Sequence, residues 1–194
     1  MHDIEPYYKW RSYYVASEDK KSPFYGRVYD EFTFRNKIYN YFIHPQWDSI
    51  GSPTLYAKNI FVDYEESFAI IELIGEWNDC LHNDSMFLKR HLADALIKRD
   101  INKFILITEN VLNFHGEDNS YYEEWWDDIK DDGGWIVIVN TLDHVLTEME
   151  NSKLQYYCNI GDNFNNLNWR RKNPKQTFLE ISEILQNNIK QLTY

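Results

Sequence analysis

The sequence predicts an α/β fold: a mixed, mostly parallel sheet covered by helices and preceded by a strand-rich N-terminal extension. Three runs are apolar without alternation, Phe68-Ala-Ile-Ile-Glu-Leu-Ile74, Phe104-Ile-Leu-Ile107 and Trp135-Ile-Val-Ile-Val139. Strands of that kind are buried on both faces, as parallel strands between helical layers are. Helix-period segments separate them, which is the alternation of a β-α-β sheet. The strand candidates before Phe68 are hairpin-like, with a mixed rather than clean alternation at Thr54–Tyr64, and they make the sheet mixed.

Along the chain, residues 1–24 are polar and aromatic without a sustained period and predict an arm or short helix lying across the body. Strands follow at Gly26–Phe34, Lys37–His44 and Thr54–Tyr64. Between the last two, HPQWDSIGSP carries prolines and a glycine that cannot continue a strand. A turn at Asp63–Ser67 leads into the run from Phe68. The next helix is capped by Asn83 or Asp84 and buries Leu88, Leu92, Ala95 and Leu96. After the strand Phe104–Ile107, a loop reaches the segment SYYEEWWDDIKDDGGW. In it Tyr122, Trp125, Trp126 and Ile129 recur at helical spacing, with Glu123, Glu124, Asp127, Asp128 and Asp131 between them, so one face is core and the other solvated acid. Gly133-Gly134 stops this helix and the strand from Trp135 begins. A short helix over Thr141–Glu150, a strand over Gln155–Ile160 and a polar loop through Lys172 come next. Asn173-Pro174 opens the last helix, whose apolar face is Phe178, Ile181, Leu185, Ile189 and Leu192. Residues 1–53 read as an aromatic-rich extension packed on the body, and residues 54–194 as the α/β domain.

A hydrophobic fraction of 43% in 194 residues is enough for one core, while the net charge of -11 makes the surface acidic. Such a surface repels phosphate backbones and anionic lipid, so neither nucleic acid nor membrane is expected as a partner. The N-terminus has no apolar run of signal-peptide kind and no segment has the length of a bilayer span, which gives a cytoplasmic expectation. Cys80 and Cys158 read as buried, reduced, structural thiols, with a disulfide or a nucleophile as the alternative. Aromatics reach 17% of the chain, and without convergence on one site they read as packing for half-buried sheet faces.

The second half resembles the STAS domain, the fold of anti-sigma-factor antagonists and SpoIIAA-like proteins, over roughly residues 54–194. Ile74-Gly75-Glu76-Trp77-Asn78-Asp79 is similar to the family's first turn, and Lys103–Thr108 to its central strand. Val111-Leu112-Asn113-Phe114 is similar to the following loop, and Asp131-Asp132-Gly133-Gly134 to the diglycine entry into the next strand. The resemblance implies a regulatory protein that binds a partner protein, with a switch serine at the N-terminus of the helix after the central strand. The matching stretch is Glu117-Asp118-Asn119-Ser120-Tyr121, so Ser120, with Asp118 and Asn119, is the partner-binding or phosphorylation candidate. Tyr121 and Tyr122 replace the family's small residues, and Glu117, Asp118, Glu123 and Glu124 would oppose a phosphate that the helix N-terminus favours. Read from the residues alone, Ser120 and Glu123 form a capping box instead.

Other constellations are weaker. Carboxylates at Glu123-Glu124 and Asp127-Asp128 lie on an exposed helix face and lack the burial that separates proton affinities. The histidines, at 2, 44, 82, 91, 115 and 144, have no metal-ligand spacing, and no glycine-rich phosphate loop occurs. No metal or cofactor is therefore expected. Loops at strand C-terminal ends place ligand sites in open α/β sheets. Glu76, His82, Glu109 and His115 fall on such loops and form the alternative candidate, a small-molecule or hydrolase site. Arg170-Arg171-Lys172 reads as a solvated basic run or a contact to a second copy, and the last helix as sheet cover or a homodimer contact. The leading expectation is a non-catalytic regulatory or interaction protein.

Overall fold

The computed structural model describes residues 3–192, with side chains from 3 to 188, so His2 and the side chains of Ile189 and Leu192 lie outside the described residues. Its strands are β1 (Lys37–Ile38), β2 (Tyr41–Phe42), β3 (Asp48–Ser49), β4 (Leu55–Asp63), β5 (Phe68–Asn78), β6 (Lys103–His115) and β7 (Trp135–Val139). Its helices are α1 (Asp79–His82), α2 (Asp84–Leu88), α3 (Asp94–Ile97), α4 (Ser120–Lys130), α5 (Asp143–Asn151) and α6 (Pro174–Leu192). A π-helical segment, Lys89–Ala93, joins α2 to α3.

The main sheet has the order β3-β4-β5-β6-β7, antiparallel up to β5 and parallel from there on. This is the mixed α/β fold that the apolar runs predict. The two parallel crossovers are consecutive and share a hand, so both place their helices on one face. There Leu88, Leu92 and Leu96 join Tyr122, Trp125 and Ile129 of α4 and Val145 and Met149 of α5 over Leu73, Leu106 and Ile138. The opposite face must then be covered from the chain ends. Trp10 of the N-terminal arm, Phe164, Trp169 and Ile181 of α6 pack there on Phe68, Ile70, Ile105 and Val137. A third cluster, Ile38, Ile43, Trp47, Tyr56 and Ile74, fastens the 37–50 segment to the β4–β5 hairpin.

Several local expectations are corrected. Gly26–Phe34 holds no strand, because the Asp30 carboxylate accepts the Phe32 and Thr33 N–H groups at 2.8 and 2.9 Å and turns the chain. Lys37–His44 is only the β1–β2 hairpin. Gln155–Ile160 is a 3-10 turn with a single bridge, Asn159 to Val137. The π turn shifts the phase of the helix after Lys89, so Ala93 takes the buried place expected for Ala95. The region after Ile107 is not a loop: β6 continues to His115, paired only with β5, since β7 ends opposite Ile107. Polar residues are tolerated there because one side of the strand has lost its neighbour.

Two glycine sites are dictated by backbone contact. Gly75, at φ +121°, would place a Cβ 2.0 Å from the Thr54 carbonyl oxygen. Gly133, at φ +68°, closes α4, and Gly134 donates to Ile129 O at 3.0 Å as the chain enters β7.

Candidate functional site

β5 and β6 end side by side, with Asn78 opposite His115, and each feeds a helix. Between α1 and the start of α4 lies an open cleft of about 530 Å3 lined by Asp79, Cys80, Leu81, Asn83, Glu117, Asp118, Ser120 and Tyr121. The turn after β5 is fixed by polar side chains: Asn78 Oδ1 caps α1 by accepting Leu81 N–H at 2.9 Å, and Asn83 takes a left-handed conformation at φ 55°. That geometry leaves Leu81 75% exposed on the cleft rim.

Beneath the rim two carboxylates are buried. Asp79 accepts Tyr122 Oη–H at 2.5 Å and Ser85 N–H at 2.7 Å. Asp84, fully buried, accepts Asn78 N–H at 2.7 Å and Thr54 Oγ–H at 3.1 Å. Burial pushes both carboxyls above the usual carboxylate range, and the hydrogen bonds offset part of that rise. Burial and the adjoining Asp79 carboxylate push the Tyr122 phenol well up, so it stays a neutral donor. The Asp79–Tyr122 bond ties the first turn of α4 to the start of α1, the two elements that wall the cleft. In the sequence Tyr122 reads only as a core aromatic, and its bond to Asp79 joins segments far apart in the chain.

Ser120 is exposed and opens α4, but the capping box with Glu123 does not form. Asp118 Oδ1 accepts Ser120 N–H at 3.0 Å, and the Asn119 carbonyl accepts the N–H groups of Tyr122 and Glu123 at 3.0 and 2.9 Å. Asn119 Nδ2 donates to Ser152 O at 2.7 Å, anchoring the loop to the end of α5. With these partners in place the Ser120 hydroxyl is left unengaged among the described residues. The candidates Ser120 and Asp118 thus both line the cleft, while Asn119 holds its loop.

The second predicted cluster does not converge. Glu76 accepts Tyr39 Oη–H at 2.7 Å and lies 3.3 Å from Asn113 Nδ2, under the β1–β2 hairpin. Glu109 instead accepts Trp169 Nε1–H and Asn140 Nδ2–H, each at 2.7 Å, and pairs with Arg170. His82 closes α1 and His115 is exposed at the end of β6. Alternation along two bulged strands sends these side chains to different neighbours, which loop position alone could not reveal.

The basic run is not simply solvated, since Arg170 pairs with Glu72 and Glu109, and Lys172 with Glu180. Nor is the acidic face of α4 wholly solvated. Fully buried Lys89 donates to Asp128 at 2.7 Å and to Asp94, and Arg90 forks onto Glu124 at 2.5 and 2.7 Å. Desolvation pulls the Lys89 ammonium down, but Asp128 and Asp94 hold it above its usual value. Cys158 is buried as expected; Cys80 is exposed, its thiol 3.2 Å from the Gly116 carbonyl oxygen. Among the described residues no group of His, Cys, Asp and Glu side chains has the geometry of a metal site, and no helix is long and apolar enough to cross a membrane.

No family model matches the chain, and no curated protein matches it. Among solved structures, a Thermotoga maritima protein assigned as an anti-sigma factor antagonist is similar at 16% identity, covering 53% of this chain and 82% of that one with a TM-score of 0.40. It falls in the group that the sequence resembles. At that level of superposition it adds nothing to the fold, which the strand pairings give directly.

Proposed function

We propose that this chain is a non-catalytic regulatory protein that binds a partner protein across the cleft between α1 and α4. The observation that carries the reading is the exposed Leu81 on the rim of a cleft edged by Glu117 and Asp118. An apolar knob beside carboxylates suits a partner surface that offers an apolar socket and a basic side chain. Ser120 opens α4 in the same cleft with an unengaged hydroxyl, which supports a modification switch there. A phosphate would meet Glu117 and Asp118 and weaken docking of an acidic partner while strengthening that of a basic one.

The test is capture by a photo-crosslinking residue placed at Leu81 or Tyr121, with Val28 as a distant exposed control. The reading expects one discrete adduct from the cleft positions, lost on Leu81→Asp substitution in the Tyr121 probe. Equal labelling from Val28, or no adduct from either cleft position, would remove it. Incubation with a serine kinase of the same cell then asks whether Ser120 is modified; an unmodified Ser120 removes the switch and leaves the docking.

A further inference from the structure

On the opposite face of the sheet, two glutamates on neighbouring strands share one arginine. Glu72, in the middle of β5, is 1% exposed; its Oε2 accepts Tyr7 N–H at 2.8 Å and its Oε1 lies 3.4 Å from Arg170 Nη2. The other guanidinium nitrogen bonds Glu109, which already holds Trp169 and Asn140. Lys58 stands opposite Glu72 on β4, yet its ammonium turns to Asp48 at 3.1 Å. From α6, Glu180 is taken by Lys172 and Lys175 by Asp63. The phenols of Tyr7 and Tyr8 complete the titratable surroundings. With both glutamates ionised the cluster carries one uncompensated negative charge, and Glu72 is the less hydrated of the two.

The groups that meet Glu72 belong to the N-terminal arm and to the 165–172 loop. Tyr7 Oη donates to Arg170 O at 2.7 Å, and Trp10 Nε1 to Lys172 O at 3.0 Å. The rings of Tyr7, Trp10 and Trp169 lock edge to face at centroid distances of 4.8 to 5.4 Å. The arm also roofs a cavity of about 240 Å3 whose floor is Lys58, Asn59 and Ile60.

We propose that Glu72 is a proton-gated latch for the N-terminal arm: protonated, it keeps residues 6–14 down on the sheet, and its ionisation favours lifting of the arm and opening of the cavity beneath. The direction follows from hydration. The closed arm withholds water from the carboxylate, so burial raises its pKa to about 7, against the opposing pull of Tyr7 N–H and Arg170. The lifted arm rehydrates it and returns it to the ordinary range near 4.5. The closed state therefore binds the extra proton, and it is weakened as pH rises between those two values.

Hydrogen exchange of residues 7–14 in the full chain, corrected for intrinsic rates, tests the latch between pH 5 and pH 8. In the wild type, opening should increase on the order of 10–100-fold over that range, since each pKa unit is a tenfold factor. Glu72→Gln should flatten the dependence and stay protected at pH 8. The carboxyl carbon of Glu72, followed by NMR in the wild type, gives a second readout that needs no variant. Its midpoint should coincide with that of the arm. An arm whose protection does not vary with pH, a Glu72→Gln protein that keeps the wild-type slope, or separated midpoints would overturn the proposal.

Discussion

Replacing Tyr122 by Phe deletes one oxygen from the buried contact that joins α4 to α1. The phenol is 2% exposed and its bond to Asp79 Oδ2 is 2.5 Å long. A hydrogen bond to a charged group contributes about 1.5–3 kcal/mol. Asp79 keeps Ser85 N–H and can take up a proton, because its pKa already stands above the usual value, so the loss falls toward the middle of that range, about 2 kcal/mol. For a chain of this size each kcal/mol moves Tm by about 2–4 °C, which gives a fall of roughly 4–8 °C. Thermal melts followed by circular dichroism measure it. A double-mutant cycle with Asp79→Asn separates the contact from the packing, with an expected coupling of about 1–2 kcal/mol. A Tm change within 1 °C, or additive single effects, would refute the view that this bond holds the cleft walls together.

Gly75→Ala should destabilise by about 3–5 kcal/mol, from a strained positive φ plus displacement of the Thr54 carbonyl, and a denaturant titration reads it as a lowered midpoint. Glu72→Gln should gain on the wild type as pH rises. The buried carboxyl carries a raised pKa of about 7, so the wild type alone loses stability between about pH 4.5 and pH 7, by about 3 kcal/mol in all. Parallel urea titrations at pH 5 and pH 8 check the sign; a wild type that gains on the variant would contradict it. Ser120→Ala should change stability by less than about 0.5 kcal/mol, because the hydroxyl caps nothing, whereas a working capping box would cost about 1 kcal/mol in the same melt.

What was legible in the sequence was whatever depends on local pattern. The three apolar runs marked β5, β6 and β7 because doubly buried strands have no polar face to alternate with. The spacing of Tyr122, Trp125 and Ile129 marked the core stripe of α4, and all three are buried. The failures share a different cause. The end of β6 reads as a loop because Glu109, Asn110 and Asn113 break its apolar run. β7 ends before them, and Glu109 is satisfied by Trp169, Asn140 and Arg170 and Asn113 by Glu76, partners that no local pattern shows. Asp128 reads as solvated, since nothing local tells that the neighbouring helical segment brings Lys89 within 2.7 Å of it. Ser120 matched a capping box whose atoms are all present, yet the carboxylate of Asp118 reached the free N–H first. Glu76 and Glu109 looked equivalent by loop position, but strand bulges and the return of the 165–172 loop gave each its own partners.

The most direct test of the docking account is photo-crosslinking from Tyr121 in the intact chain, in parallel wild-type and Leu81→Asp backgrounds. The account predicts a single partner-protein adduct that the Leu81→Asp substitution abolishes while the melting temperature stays unchanged. An adduct of equal yield in both backgrounds would contradict it, because the cleft rim would then play no part in binding.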